Sequence, residues 1–187
     1  MSTIQHKNIE NSKLHEPKDI SLAVANKVYV SNGSGSGSWE YAIAHGGTTF
    51  LNESTAFTVV APNAYIKLAP VTTPQTAPIE FTEGTDASLT YVGLKQRVAV
   101  ISANITVSDP ALVGRNATIA IYRNGVILPF TYASGLMNPS SGTYRTNINC
   151  QVKTSAVTGD KFEVYIKTGN ASNMSLFALQ LTALAYL

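Results

Sequence analysis

Short runs of alternating hydrophobic and polar residues, separated by Gly, Pro and Asn, make up most of the chain beyond residue 40. Between residues 99 and 107 every second residue is apolar, and Ser102 and Asn104 lie between the apolar ones. Such a period of two predicts strands, and Asn124-Gly125 between two apolar runs predicts a tight hairpin. About eight such runs, with turn signals between them and no convincing helical pattern, predict an all-β fold, either an antiparallel jelly roll or a β-sandwich.

The last apolar run, residues 175–187, has hydrophobic residues on both faces of the strand it predicts. A strand that is apolar on both faces lies at the centre of a sandwich or against a partner subunit. We therefore expect either a core strand of a monomer or a strand buried at the axis of a homotrimer. In the second case the predicted interface residues are Phe177, Leu179, Leu184, Tyr186 and Leu187.

The N-terminal segment differs from the rest of the chain, since residues 1–27 are polar and lack a sustained apolar period. The glycine-serine run SNGSGSGS follows the short apolar run KVYV and is typical of a flexible hinge. A proline-spaced polar stretch, PVTTPQTAP, marks a second boundary. These features predict an extended attachment arm with a hinge over residues 1–40, a small β-rich stem or connector over 41–75, and a jelly-roll trimerisation domain over 76–187.

The chain resembles bacteriophage virion surface proteins in three features, namely LHEPK at residues 14–18, the VYVSNGSGSGSW block and the β-rich remainder. These proteins are head fibres, decoration proteins and short tail fibres, whose distal domains resemble the trimeric jelly roll of the C1q and tumour-necrosis-factor families. The resemblance implies a homotrimer on the particle surface, made in the host cytoplasm, with residues 1–40 docked on the major capsid protein or another virion protein. The implied attachment residues are Leu14, His15, Glu16, Pro17, Val28, Tyr29, Val30 and Trp39.

Two alternatives to a head fibre or decoration protein stay open. One is a tail-fibre tip that binds a host glycan or protein, and the other is a soluble C1q-like or lectin-like binding domain. The nine tyrosines are the best candidates for such a binding surface, because tyrosine combines a rigid apolar ring with a hydroxyl. Cross-strand packing is the alternative role for those beside predicted strands, namely Tyr122, Tyr132, Tyr144 and Tyr165.

The composition and charge of the chain narrow the class of function. Charged residues are only 13% of the chain and the net charge is +2, without a basic cluster, so we expect no nucleic-acid partner. Neither a signal peptide nor an apolar run long enough to span a bilayer is visible, so we expect no membrane contact. A surface poor in charge also suits a protein that covers part of itself with further copies.

Residues that could carry chemistry are few and poorly spaced. The three histidines form no ligand pair, and the glycines of GSGSGS do not fit a phosphate-binding motif. We expect Cys150, the single cysteine, to be a small side chain on the inward face of a strand. No enzyme activity, cofactor or metal is therefore predicted.

Overall fold

The computed structural model describes residues 25–31, 37–59, 61–74, 77–109, 116–137 and 145–187. The chain divides into two compact units, Met1–Ala42 and Ile43–Leu187. Every regular element of the described residues is a β-strand, and every strand pair is antiparallel. The prediction of an all-β antiparallel fold is confirmed.

In the first unit, β1 (Lys27–Ser31) pairs with β2 (Gly37–Tyr41) to form a hairpin. Tyr29 lies opposite Trp39, and their rings meet edge to face with centroids 5.6 Å apart. A side chain at Gly37 would collide with the Tyr29 ring, so this glycine of the glycine-serine run is needed for packing rather than for mobility.

The second unit contains two sheets. The five-stranded sheet has the order β12-β8-β14-β3-β5, with bounds β3 (Ile43–Val59), β5 (Thr73–Pro74), β8 (Arg97–Ser108), β12 (Arg145–Ala156) and β14 (Ser172–Tyr186). The seven-stranded sheet comprises β4 (Ile66–Lys67), β6 (Phe81–Gly84), β7 (Ser88–Tyr91), β9 (Asn116–Arg123), β10 (Val126–Ile127), β11 (Ala133–Leu136) and β13 (Lys161–Thr168).

The core of this unit lies between the inner faces of the two sheets. Buried residues alternate along each long strand, as in β8, where Ile101 and Ile105 are inward, and in β13, where Phe162 and Val164 are inward. The alternation follows from the pleat, which sends successive side chains to opposite faces. The hairpin predicted at Asn124-Gly125 joins β9 to β10, and both of its residues have positive φ, 53° and 77°.

The structure corrects the expectation of a separate stem over residues 41–75. Residues 43–59 form β3, which pairs with β14 along most of its length, and β4 pairs with β13. Residues 43–74 therefore complete both sheets of the unit that contains residues 77–187. Thr73 and Pro74 of the proline-spaced stretch form the short β5 at the edge of the five-stranded sheet, where Pro74 removes no ladder bond from a central strand.

The C-terminal strand, β14, lies between β8 and β3 at the centre of its sheet. A bulge between Leu176 and Ala178 shifts its register, so that Leu179 is fully buried in the core of its own subunit. The assignment of Leu179 to an intersubunit interface is therefore wrong, because its side chain faces the opposite sheet. Beyond the bulge the outward residues are Gln180, Thr182, Leu184 and Tyr186.

Candidate functional site: the outer face of the five-stranded sheet

The surface that we call the outer face consists of the side chains of β3, β14, β8 and β12 that point away from the core. At one end of it, Tyr186 lies opposite Ile43 on β3 and Val98 on β8. In the next row Leu184 lies opposite His45 and Val100. Ile43, Val98, Leu184 and Tyr186 are 38–46% exposed, so this apolar end of the outer face is open in the single chain.

A band of neutral polar side chains lies next to the apolar end. Gln180 is opposite Asn104, which is opposite Asn149 on β12; in the adjacent row Thr182 is opposite Ser102, which is opposite Gln151. We call these six residues the amide belt. They line an open surface cavity of about 410 Å³. Within the belt, Gln151 Nε2 donates a hydrogen bond to Ser102 Oγ at 2.8 Å.

Formal charge is nearly absent from the outer face. Along the paired segments 43–51, 178–186, 98–106 and 147–155, the outward residues that can carry a positive charge are His45 and Lys153, and none is acidic; Arg145, outward at the start of β12, is a third cation beyond these segments. Burying such a surface against another protein requires little charge desolvation. The outer face is thus suited to a protein–protein contact.

The opposite side of the unit, the exterior of the seven-stranded sheet, carries an ion-pair cluster instead. Lys67 Nζ lies 2.5 Å from Asp86 Oδ2 and 2.7 Å from Glu163 Oε1, and Lys161 Nζ lies 3.1 Å and 3.4 Å from the same two atoms. Burial alone would raise the pKa of Asp86, but hydrogen bonds from Lys67, Ser88 and Lys161 outweigh it and hold that pKa well below its usual range. Charges of this density favour a surface that stays in water.

Three tyrosines lie together on this second side. The rings of Tyr122 and Tyr165 stack with centroids 3.8 Å apart, and Tyr65 meets Tyr122 edge to face at 5.7 Å. Lys167 Nζ lies 4.7 Å from the centre of the Tyr65 ring. Much of the ring surface is therefore occupied by neighbouring tyrosines, while Tyr132 is 58% exposed and Tyr144 lies outside the described residues.

The predicted attachment residues are only partly described by the structure. Leu14, His15, Glu16 and Pro17 lie outside the described residues. Val28, Tyr29, Val30 and Trp39 belong to the β1–β2 hairpin, in which Tyr29 and Trp39 share one face and Val28 and Val30 the other. Their part in attachment stays a prediction.

The predicted interface residues other than Leu179 lie at or near the surface. Leu184, Tyr186 and Leu187 are exposed, and the first two belong to the outer face. Phe177 is half-buried in the bulge of β14, with the Arg145 guanidinium carbon 3.7 Å from its ring centre. Sequence reasoning missed the amide belt. The alternation did mark Ser102 and Asn104 as polar-face residues, but it did not show which strands are neighbours.

No metal or thiol site appears in the described part of the chain. No group of three or more His, Cys, Asp or Glu side chains there could hold a metal ion. Cys150 packs against the core, and burial raises its pKa to about 12, as expected for an inward side chain. The described residues also include no helix able to span a membrane.

Neither a protein-family profile nor a curated protein sequence matches the chain. Solved structures do match. Eiger TNF from S. frugiperda aligns with 78% of this chain and 91% of its own at a TM-score of 0.50 and 13% identity. The globular domain of zebrafish complement 1qA aligns with 74% of this chain and 94% of its own, at a TM-score of 0.44 and 10% identity. The PRD1 vertex protein P5 aligns with 77% of this chain and 96% of its own, at a TM-score of 0.43 and 12% identity. At these identities the likeness concerns the fold alone, and unit 43–187 has a jelly-roll fold similar to that of Eiger TNF.

Proposed function

We propose that this protein is a non-enzymatic, self-associating surface protein of a bacteriophage particle, of the head-fibre or decoration type. Three copies associate through the outer faces of their jelly rolls, and residues 1–40 attach the assembly to the major capsid protein or another virion protein. The observation that carries the self-association is the outer face itself, which is open, apolar at one end and almost without charge.

Burial of the apolar end would stabilise an assembly. Ile43, Val98, Leu184 and Tyr186 each leave about two fifths of their surface in water. Covering those parts contributes on the order of 1 kcal/mol per side chain in each copy. Contiguous exposed apolar patches of this kind mark contact sites in soluble proteins. The other side of the unit, with its ion-pair cluster, would remain in water.

The N-terminal segment supports attachment to a particle. Its resemblance to virion proteins rests on the LHEPK and VYVSNGSGSGSW sequences. Among the described residues, β1 pairs with β2 and with no second strand, and we propose that residues Lys27–Val30 pair with a strand of the particle. Addition of a strand to an exposed edge is a common mode of peptide recognition, and several arms on one assembly would bind by avidity.

The oligomeric state of the full-length chain tests the first half of this proposal. Light scattering at micromolar concentration should give about three chain masses, and Leu184→Asp should give one, because an unpaired carboxylate buried at a contact is costly. Val126→Asp is the matched control, since Val126 is equally apolar and more exposed but lies in the other sheet. A stable monomeric parent protein would refute self-association.

Deletion of residues 1–30 tests the second half. The shortened protein should fold and associate normally but be missing from purified particles. Normal incorporation would show that attachment lies in the jelly roll. The exposed ring of Tyr132 favours a second function, recognition of a host glycan by a tail-fibre tip, since sugars pack on aromatic rings. A glycan array, together with immunolabelling of tails rather than heads, would distinguish this function from the first.

A further inference from the structure

We infer that the amide belt selects the arrangement in which copies of this chain associate, by exchanging side-chain hydrogen bonds between copies. This inference rests on the proposed self-association through the outer face. It assigns a role to Asn104, Asn149 and Gln180, for which the fold of one subunit provides no explanation.

The position of the amide belt puts it inside any contact made by the outer face. Toward one end it borders the rows of Leu184 and Tyr186. Toward the other it borders a row in which the apolar Leu51, 78% exposed, and Ala178 are followed by the polar Thr106 and Asn147. A partner that covers both Leu184 and Leu51 must cover the belt between them.

The side-chain amides of the belt have unused hydrogen-bonding capacity in the single chain. Among the described residues, the amides of Asn104, Asn149 and Gln180 bond to no other protein group, whereas Gln151 donates to Ser102. Water satisfies exposed amides. Once covered, each needs a donor or an acceptor from the partner, because a buried polar group without one opposes association.

Another copy of the same chain is the partner that fits this requirement. An amide both donates and accepts, so amides from a second copy can satisfy amides of the first. The belt has no charge of its own that would repel an identical belt. The fit depends on alignment, because a copy shifted along the strands would place apolar side chains such as Leu184 against the amides. Each amide left unsatisfied in this way should disfavour the shifted arrangement by on the order of 10-fold.

The apolar end cannot provide this selection. Apolar contacts are non-directional, and neighbouring arrangements bury similar areas. A single buried asparagine in a coiled coil is known to fix register and oligomeric state at some cost in stability. The amide belt would act in the same way on a sheet surface, and its removal should relax the choice of arrangement without weakening association.

Native mass spectrometry of the full-length chain provides the test. Gln180→Met and Asn104→Leu, alone and combined, keep the side-chain volume nearly constant and remove the amides. Gln180 is exposed in the subunit and Asn104 is half-exposed, so the subunit core is unaffected. We expect the parent protein to give one oligomeric species and the combined variant to give at least two. The protein concentration at which the variant's oligomers dissociate should be the same as for the parent protein, or lower.

The control is Asn173→Leu, which removes an exposed amide of the same strand on the N-terminal side of the bulge, where its Oδ1 accepts from Thr58 Oγ1 of the same subunit at 2.9 Å. It should leave the single species unchanged. If the parent protein is a trimer and the combined variant is also a single species of equal stability, the inference is overturned and the proposed function is unaffected. A combined variant that becomes monomeric also overturns it, since the amides would then supply affinity rather than selection. A monomeric parent protein overturns the proposed function itself.

Discussion

Removal of the Glu80 carboxylate should unfold the jelly roll at much lower denaturant concentration, because it would leave a buried guanidinium without its anion. The Arg97 side chain is 0% exposed, and its Nε and Nη2 bond to the two Glu80 carboxylate oxygens at 2.7 Å and 3.1 Å. Arg97 Nε also lies 3.0 Å from Tyr91 Oη, which donates to the carbonyl of Lys95 at 2.7 Å. Burial alone would lower the pKa of Arg97, but the bonds and charge of Glu80 more than compensate and raise it.

The expected magnitude follows from the burial of the two partners. Breaking a buried ion pair by removal of one partner costs about 3–5 kcal/mol. Glu80→Gln is the preferred substitution, since Glu80 has a φ of 57° and Gln keeps that backbone, the side-chain shape and one acceptor oxygen. We expect it to destabilise the unit by roughly 3 kcal/mol, or about 6–12 °C in melting temperature for a unit of this size. Arg97→Met should cost less, because Glu80 is 16% exposed and can be hydrated.

Urea unfolding followed by circular dichroism, at one fixed protein concentration, measures these differences. The double variant Glu80→Gln with Arg97→Met should lose less unfolding free energy than the two single variants lose in total, since the two residues interact directly. Lys161→Met is the control. It breaks an ion pair to Asp86 in which both side chains are 40% exposed and a longer one to Glu163, which keeps Lys67 as a partner, and it should cost less than about 1 kcal/mol. If Glu80→Gln costs no more than this control, the guanidinium must reach water and the reasoning is wrong.

Two further predictions concern titration and reactivity. Because the folded-state pKa of Asp86 lies below its usual value, its contribution to stability is present above about pH 4 and is lost as the pH falls further. The urea midpoint of the parent protein should therefore decline in acid, and Asp86→Asn should make this decline less steep. An unchanged decline would contradict the ion-pair assignment. Cys150, with its pKa raised to about 12 by burial, should react with a maleimide at pH 8 only after unfolding in urea, and equal labelling rates in folded and unfolded protein would contradict its inward position.

The local features of the second unit were readable from the sequence, since they depend on neighbouring residues. Alternation in the segment around Ile101 predicted a strand with one inward face, and Asn124-Gly125 predicted the β9–β10 hairpin. The pleat and the φ > 0 requirement of a tight turn act within a few residues, so a single sequence reveals them.

The features that were missed depend on contacts between distant segments. The pairing of β3 with β14 joins residues more than a hundred positions apart, and no local pattern showed it. The bulge at Leu176/Ala178 exchanges the inward and outward positions between the two parts of β14, because the side-chain period of a strand is two. Leu179 lies in the same regular part as Leu184, so alternation alone places it on the opposite face, and its grouping with Leu184 in one interface was wrong. The amide belt requires the register of three strands and could not be assembled from the sequence alone.

The two exteriors of the jelly roll differ in a way that subunit stability does not require. Both sheets shield the same core, so either exterior could carry charges without cost to the fold. The chain nevertheless places Lys67, Asp86, Lys161 and Glu163 on the seven-stranded side and, apart from His45, Lys153 and Arg145, neutral or apolar residues on the described outer face. Ion pairs in contact with water cost little, whereas charges would have to be desolvated on a face that is covered. The absence of acidic side chains from the described paired segments of the outer face, in a chain with eleven acidic residues, is therefore best explained if that face is in contact with other copies.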